Sequence, residues 1–308
     1  MIDSSNPLVT YVVPTYNHSR FIIEAIESII AQTYENIELI VINDGSTDDS
    51  YETISKITKK CSERFVRFNF ISRHNKGLVR SLNEGLKWSN GEFFCMLASD
   101  DKLLPNKTKI MVDLILNSGP EVVAGFAGIK IIDTDSNYVG KHNTRAGTYG
   151  FEDLIMKKAP YSAPTQIIRT AELRLIGGYD ENLLFEDWAI LLALTKNGKK
   201  IEVIDEVVSL YRRHSSNISK QIINNHLYRL QVLNNYKDHK LYPRACARVL
   251  AGHASEIAGT SYKDAFASLR LALKKYKPII SDKKFIRGTA DMLKSFIKSK
   301  FTKTHKLI

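Results

Sequence analysis

The sequence has few cysteines and no long apolar run. Its 308 residues include three cysteines, Cys61, Cys95 and Cys246, whose positions have neither disulfide nor metal-ligand spacing. No uninterrupted apolar stretch approaches the length needed to cross a bilayer, and the first six residues lack the basic-then-apolar order of a signal peptide. We therefore expect the protein in a reducing, cytoplasmic compartment.

Two glycine-rich nucleotide-binding patterns are also missing. No Gly-x-Gly-x-x-Gly follows the first predicted strand, which argues against a dinucleotide cofactor. No P-loop pattern is present either, which excludes the commonest machinery for binding a nucleoside triphosphate.

Acidic residues are scarce at one end of the chain. From Arg270 onward there are twelve lysines or arginines and two acids, Asp282 and Asp291, so this end carries +10 of the formal net charge of +11. Of the 44 basic and 33 acidic residues in the whole chain, 32 and 31 therefore fall in the first 269, which are almost neutral. Because the excess charge is confined to one end, we expect no nucleic-acid partner.

Strands and helices are predicted to alternate over the first hundred residues. Strands are expected at 8–14, 37–42, 65–71 and from 93, and helices at 21–33, after 49 and at 77–88. Alternation with short links predicts an α/β fold with a mostly parallel sheet, right-handed crossovers and flanking helices.

Polar residues follow each of these strands. Thr15, Asp44, Arg73 and Asp100 stand where the four strands end. Since the carboxyl ends of parallel strands lie at one edge of the sheet, and ligands of open α/β sheets collect there, we expect these side chains to converge on a cleft.

The fourth strand ends in two adjacent acids, Asp100 and Asp101. Two neighbouring carboxylates repel each other, and a divalent cation commonly holds such a pair ionised. The alternative is that residues 99–101 cap a helix that begins near Pro105. The convergence of strand ends favours a ligand site.

The rest of the chain is expected to divide near residue 218. Strands are predicted within 122–132, at 165–169, 200–204 and 207–211, a turn at 177–180, and a helix from Glu186 to about 197. From Gln221 onward the pattern is helical. The expected domains are therefore 1–218 and a helical region at 219–308.

The basic end of the chain has helical spacing of its apolar residues. In 292–301, large apolar side chains alternate with lysines at helix-like intervals. Such a helix suits the surface of an anionic membrane, with its lysines near the headgroups. A disordered basic tail, a helix packed on the main domain and a homodimer contact remain as alternatives.

Several motifs together resemble a family of known fold. They are Val13-Pro14-Thr15-Tyr16-Asn17, Asn43-Asp44-Gly45-Ser46-Thr47-Asp48, Asn75-Lys76-Gly77, Leu97-Ala98-Ser99-Asp100-Asp101, Gly177-Gly178-Tyr179-Asp180, Glu186-Asp187-Trp188 and Tyr211-Arg212-Arg213-His214-Ser215-Ser216-Asn217. In this order the segments resemble a family-2 glycosyltransferase with a GT-A fold, a Rossmann-like arrangement. The resemblance covers about residues 7 to 218 and leaves out the helical end.

The resemblance implies an inverting transferase that uses a divalent metal, Mn²⁺ or Mg²⁺, and a nucleoside-diphosphate sugar, with a UDP-sugar first among the candidates. It places the nucleoside against the strand end Pro14-Thr15-Tyr16-Asn17 and against Asp44, with Arg73 reaching the base. The family's metal motif is Asp-x-Asp. Here Ala98 occupies its first position, and Asp100 matches the second acid and is the expected ligand, with Asp101 beside it.

The resemblance also implies roles on the acceptor side. Glu186 and Asp187 match an acidic pair in which the second acid is the base, which takes the proton of the attacking hydroxyl; Asp187 at a helix start could also simply interact with the helix dipole. Glu186 could orient the acceptor or exchange roles with Asp187. His214 matches a residue that approaches the metal or diphosphate, and Arg212 or Arg213 can bind phosphate.

Two functions from different classes follow. The first is a transferase at the inner face of a bacterial membrane that extends a lipid-linked saccharide of a surface polysaccharide. The second is a catalytically silent sugar-nucleotide-binding or scaffolding protein, which the alanine at position 98 keeps open.

Overall fold

The computed structural model describes residues 6–142, 144–183, 187–214, 217 and 225–304. The chain divides into two compact units, one formed by residues 1–154 and 159–215 and the other by residues 155–158 and 216–308. The expected domain boundary near residue 218 stays a prediction, because residues 218–224 lie outside the described part.

The first unit contains a sheet of ten strands. They are β1 (Val9–Thr15), β2 (Ile37–Asp44), β3 (Arg67–Arg73), β4 (Phe93–Met96), β5 (Lys102–Leu103), β6 (Val122–Ile132), β7 (Tyr138–His142), β8 (Gly147–Gly150), β9 (Ile167–Arg169) and β10 (Lys200–Arg212). The sheet order is β3-β2-β1-β4-β9-β6-β10-β5, with β7 paired to β6 and β8 to β10.

Six of these strands run in the same direction. β1 pairs in parallel with β2 and β4, β2 with β3, and β10 with β6. β9 is antiparallel to both β4 and β6, so those two strands share one direction. The carboxyl ends of β3, β2, β1, β4, β6 and β10 therefore lie along the same edge of the sheet, which confirms the predicted mostly parallel α/β architecture.

Helices flank the sheet in the first unit. They are α1 (Ile22–Ile30), α2 (Ser50–Ser55), α3 (Thr58–Arg64), α4 (Leu78–Trp88), α5 (Lys107–Asn117), α6 (Phe151–Ile155), α7 (Thr170–Leu175) and α8 (Asp187–Thr195), with a 3-10 turn at Ala163–Thr165. The central strands β1 and β2 are buried along their whole length, as strands covered on both faces must be. Ile22, Ile26 and Ile29 form the buried face of α1.

Two predictions of local structure were wrong in detail. One helix was expected after residue 49, but α2 and α3 share that segment. The two strands expected at 200–204 and 207–211 form the single strand β10, whose pairing with β6 shifts register between Val203 and Val207; this irregularity interrupts the apolar alternation.

The described part of the second unit is helical. It contains α9 (Asn225–Asn234), α10 (Tyr242–Ile257), α11 (Tyr262–Lys275), a 3-10 turn at Lys277–Ser281 and α12 (Lys283–Thr304). Small residues allow close packing: a Cβ atom at Gly288 of α12 would lie 2.8 Å from the carbonyl oxygen of Ala251 on α10. In the part of the chain that the structure describes, no helix is long and apolar enough to span a membrane.

The helix α12 has one packed face and one exposed apolar face. Met292 packs against the buried cluster that includes Ala254 and Leu269. Ile286, Leu293 and Ile297 are about half exposed, at 55%, 49% and 52%. Their spacing places them on one side of the helix. Helical structure over the described part of 292–301 is thus found, whereas its partner stays a prediction.

Candidate active site

The site begins with a contact between the ends of two strands. Nε2 of His214, which follows β10, lies 2.8 Å from Oδ2 of Asp100, which follows β4, and both side chains are largely buried. The ring of His214 is fixed from behind by Phe21, with ring centres 5.1 Å apart and an interplanar angle of 29°. A carboxylate and an imidazole are therefore held together at the carboxyl edge of the sheet.

A second histidine joins this pair. His18, in the loop after β1, has a potential ligand atom within 4.8 Å of those of Asp100 and His214. Its Nδ1 lies 2.7 Å from the hydroxyl oxygen of Ser99. Sequence reasoning treated His18 as part of a polar loop and assigned it no role; the available signal was its position just after the first strand.

Short strand pairing explains why Asp100 reaches His214. The two-residue strand β5 follows Asp101 directly and pairs antiparallel with Ser209 and Leu210 near the end of β10. The residues before β5 and after β10 must therefore lie side by side, although a two-residue strand is too short to recognise in the sequence.

Asp101 strengthens this junction. Its side chain is 2% exposed, and Oδ1 accepts a hydrogen bond of 2.8 Å from the backbone N–H of Arg212. Burial and then the charge of Asp100 raise its pKa well above the usual value. Its carboxyl group thus joins two strand ends. The expected role of Asp101 beside Asp100 at the cation stays a prediction.

Arg212 is fully buried and extensively hydrogen-bonded. Its Nε donates to the carbonyl oxygen of Asp100 at 2.8 Å, and Nη2 donates to the carboxylate of Glu24 at 3.0 Å. Nη1 lies within 3.2 Å of the carbonyl oxygens of Asp133 and Thr134. The guanidinium holds the surrounding backbone in place. The expected contact of Arg212 with phosphate stays a prediction.

The end of β1 forms a second part of the edge. Pro14 and Thr15 are buried, whereas Tyr16 and Asn17 are exposed. Oγ1 of Thr15 is buried without a hydrogen-bond partner among the described residues. Asn17 adopts a left-handed backbone (φ +56°), and its Oδ1 accepts a hydrogen bond from the backbone N–H of Thr47, so this loop is tied to the turn after β2.

Asp44 and Arg73 form an ion pair at the ends of β2 and β3. Asp44 Oδ1 also accepts from the N–H of Lys76, and Oδ2 from the N–H of Gly77, each at 2.8 Å. The turn is closely packed: a Cβ atom at Gly45 would lie 2.5 Å from the nitrogen of Asn75, and Gly45 has φ +74°. Asp44 therefore orients the loop before α4, and the two residues predicted at this edge lie in contact.

One of the two predicted acceptor-side acids, Asp187, lies at the start of α8. Asp187 is exposed and its Oδ1 accepts a hydrogen bond of 2.6 Å from the N–H of Trp188. Trp188 is 4% exposed and its Nε1–H donates to the carbonyl oxygen of Leu154, so it is part of the core. Glu186 lies outside the described residues.

Burial also affects the protonation of His18. Burial lowers its pKa, and the nearby imidazole of His214 lowers it further against the opposing charge of Asp100. A lower pKa favours the neutral imidazole, the form in which histidine binds metals.

Comparison with known proteins identifies the family. The family model described as Glycosyl transferase family 2 matches residues 10–172, more than half of the chain. The chain belongs to this family of glycosyltransferases. The resemblance inferred from the motifs is thereby confirmed.

Individual relatives support the assignment. An uncharacterized glycosyltransferase of Rickettsia typhi is 34% identical over 189 residues, which cover 58% of this chain and 56% of the relative. The glycosyltransferase GlyG of Streptococcus pneumoniae is 26% identical over 225 residues, 69% of this chain and 73% of GlyG. The match thus spans little more than half the length of the Rickettsia relative.

Solved structures share the fold. Residues 1–349 of TarS from S. aureus, in complex with UDP, give a TM-score of 0.60 at 18% identity, with 94% of this chain and 89% of TarS 1–349 covered. The mannosyltransferase PcManGT of Pyrobaculum calidifontis, in complex with GDP-Man and Mn²⁺, also gives 0.60 at 18% identity, covering 96% and 87%. These likenesses confirm the predicted GT-A glycosyltransferase fold.

Proposed function

We propose that this chain is an inverting glycosyltransferase that moves a sugar from a nucleoside-diphosphate sugar, a UDP-sugar first, to an acceptor hydroxyl with the help of Mn²⁺ or Mg²⁺. The observation that carries the proposal is the 2.8 Å contact between His214 and Asp100 at the carboxyl edge of the sheet. Ligands of open α/β sheets bind at this edge.

The strand ends β1 and β2 offer groups for the nucleoside. A buried hydroxyl without a partner is uncommon, and Oγ1 of Thr15 would gain one from a bound ligand. The carboxylate of Asp44 accepts three hydrogen bonds from Arg73, Lys76 and Gly77. Since a carboxylate has about four acceptor positions, one remains for an N–H group such as that of uracil.

The donor set at the edge fits a divalent cation. Asp100 supplies a carboxylate oxygen and His214 an imidazole nitrogen, two ligand types that Mn²⁺ accepts. A cation held there supplies positive charge that stabilises the departing nucleoside diphosphate. Arg212 and Asp101 keep these two ligands together, because their hydrogen bonds join the ends of β4 and β10.

Asp187 is proposed as the general base. A sugar hydroxyl is a weak nucleophile, and a carboxylate within hydrogen-bond distance can take its proton during attack on the anomeric carbon. The side chain is exposed, and the bond from the N–H of Trp188 leaves acceptor positions on both oxygens. The buried Trp188 anchors the start of α8. Glu186 is proposed to orient the acceptor.

The ligands of the fold neighbours support the choice of donor. TarS structures contain UDP or UDP-GlcNAc, and the PcManGT structure contains GDP-Man and Mn²⁺. In both cases the ligand is a nucleoside diphosphate or its sugar ester, the class of donor proposed for this chain.

The proposed acceptor is a lipid-linked saccharide at the inner face of the cell membrane, reached by peripheral attachment. The exposed apolar side chains Ile286, Leu293 and Ile297 of α12 support this proposal, together with the neighbouring exposed Lys294 and Lys298. Apolar side chains flanked by lysines suit an anionic lipid surface.

A catalytically silent sugar-nucleotide-binding protein is the second candidate. One observation favours it: Ala98 stands where the resemblance places the first acid of the metal motif. A donor screen separates the two. The full-length protein is incubated with Mn²⁺ and each of several nucleoside-diphosphate sugars, and release of the nucleoside diphosphate is followed. We expect slow donor hydrolysis with at least one of them. Donor binding in calorimetry without release or transfer would establish the silent protein.

A further inference from the structure

We propose that His18 is a third protein ligand of the cation held by Asp100 and His214, and that it replaces the acid missing at Ala98. The inference deepens the proposed function, on which it rests, by specifying the metal site. The protein ligands of the cation would then be two imidazoles and one carboxylate, from the ends of β1, β4 and β10.

The distances between the potential ligand atoms fit one small cation. Ligands at about 2.1 Å from an octahedral ion are separated by about 3.0 Å when adjacent and about 4.2 Å when opposite. Asp100 Oδ2 and His214 Nε2 are 2.8 Å apart, and all three ligand atoms lie within 4.8 Å of one another. These separations are compatible with three ligands around one ion.

Ser99 orients the imidazole of His18. Nδ1 of His18 lies 2.7 Å from the Ser99 hydroxyl, so in the tautomer protonated at Nδ1 this group donates to Ser99 and Nε2 keeps its lone pair. Metal-binding histidines commonly use the other ring nitrogen in such a bond, which fixes tautomer and ring direction. Because Ser99 directly precedes Asp100, the same segment supplies one ligand, Asp100, and the hydroxyl group that orients a second ligand, His18.

The rings of the two histidines lie close together. The ring centres of His18 and His214 are 5.8 Å apart and the rings are perpendicular. The ring of Phe21 packs on both imidazoles, at 6.1 Å from His18 and 5.1 Å from His214. Packing on a shared aromatic side chain limits the rotation of both rings and reduces the entropy lost when an ion binds.

A site with two imidazoles has a different metal preference from one built of carboxylates. Imidazole nitrogen favours Mn²⁺, Co²⁺ or Zn²⁺ over Mg²⁺, which prefers oxygen ligands. A histidine from another strand end that replaces the acid expected at position 98 therefore keeps a divalent cation at the site but changes which cation is preferred. We expect Mn²⁺ to bind more tightly than Mg²⁺.

The test measures Mn²⁺ binding to the metal-stripped full-length protein in the absence of nucleotide. Free Mn²⁺ is quantified by electron paramagnetic resonance during titration of the unmodified protein, H18N and S99A. The control is H239N, because His239 belongs to the other compact unit. Circular dichroism confirms that each variant is folded. We expect at least about 10-fold weaker binding for H18N, a smaller loss for S99A and no change for H239N.

Pulsed electron paramagnetic resonance supplies a second readout. Imidazole nitrogen bound to Mn²⁺ modulates the electron spin echo, so the nitrogen modulation is expected to fall in H18N and to persist in H239N. The double variant A98D/H18N is expected to regain affinity with a shift toward Mg²⁺, because an acid replaces the imidazole. Equal Mn²⁺ affinity and equal nitrogen modulation in H18N and the unmodified protein would refute the role of His18.

The proposed function can fail separately. If H18N loses Mn²⁺ while the unmodified protein neither binds nor turns over any nucleotide sugar, the metal site stands and the transferase does not. If Mn²⁺ binding is unchanged in H18N and metal-dependent release of the nucleoside diphosphate is observed, the transferase stands and the third ligand does not.

Discussion

His214 and Asp100 are 114 positions apart in the chain, yet Nε2 of the one lies 2.8 Å from Oδ2 of the other. Each residue follows a strand of the same sheet, and the two strands point in the same direction. The short strand β5 and the hydrogen bond from Arg212 to Asp101 hold these strand ends together. The contact therefore follows from the fold, because backbone pairing and a hydrogen bond from a backbone N–H hold the two strand ends together.

The role of Asp187 as base predicts a separation of binding from turnover. D187N keeps the size of the side chain and removes the proton acceptor, so transfer is expected to fall by at least about 100-fold. Nucleotide affinity, measured by calorimetry, should be unchanged. D113N, at an exposed aspartate on α5, is the matched control and should retain activity. Retained transfer in D187N would remove Asp187 as the base.

Removal of divalent metal should stop turnover. We expect loss of nucleoside-diphosphate release after treatment with a chelator and dialysis, and recovery on addition of Mn²⁺, because Asp100 and His214 are proposed to hold a cation that would stabilise the leaving group. The control is protein treated with chelator that is already saturated with metal. Undiminished release after chelation would argue against a metal-dependent reaction.

The buried guanidinium of Arg212 is expected to stabilise the first unit. R212M leaves the carbonyl oxygens of Asp100, Asp133 and Thr134 without their donor, and the loss should be about 3 kcal/mol of unfolding free energy.

Urea unfolding followed by tryptophan fluorescence measures this loss, since Trp88 and Trp188 both belong to the first unit. R213M is the matched control, because Arg213 is adjacent and exposed, and it should change stability little. Equal stability of R212M and R213M would contradict the structural role of Arg212.

Glu24 should make stability depend on pH in the acidic range. Burial raises its pKa, but hydrogen bonds from Lys102 and Ser136 and the charges of Arg212 and Lys102 outweigh this effect and lower the pKa to about 2, from an ordinary value of 4.5. Because the pKa is lower in the folded state, the contribution of Glu24 is present above pH 4.5 and is lost as the pH falls toward 2.

Comparison with E24Q tests this expectation. The unmodified protein should lose more unfolding free energy than E24Q between about pH 5 and about pH 3, measured by urea unfolding. Because the carboxylate is partly exposed, the difference should shrink at high salt. Parallel pH profiles for the two proteins would show that the folded-state pKa of Glu24 is not lowered.

The exposed apolar face of α12 predicts binding to anionic membranes. Glutamate at Leu293 and Ile297 places charge where the lipid contact is proposed, so L293E/I297E should lose binding to vesicles that contain phosphatidylserine. The control is L175E, since Leu175 is 80% exposed and belongs to the other unit. Vesicle co-sedimentation is the measurement. Equal binding of both variants, or no binding by the unmodified protein, would disprove the proposed attachment.

The order of elements and the candidate residues at the strand ends could be read from the sequence. Apolar runs predicted β1, β2 and β4, and the polar residues after them marked Asp44 and Asp100 as edge residues. These features depend on local spacing along one strand and one turn. The motifs in order indicated the family, which the comparison confirmed.

The composition of the site depended on long-range contacts. His18 is a candidate ligand only because the loop after β1 lies beside the ends of β4 and β10. The burial of Arg212 among backbone carbonyl groups depends on the same long-range contacts. The sequence of a single strand does not show which distant strand will pair with it or how deeply its side chains will be buried. The amino-acid sequence by itself thus determined the parallel strands of the sheet and the edge at which they end, whereas only the tertiary structure decided which side chains share that edge.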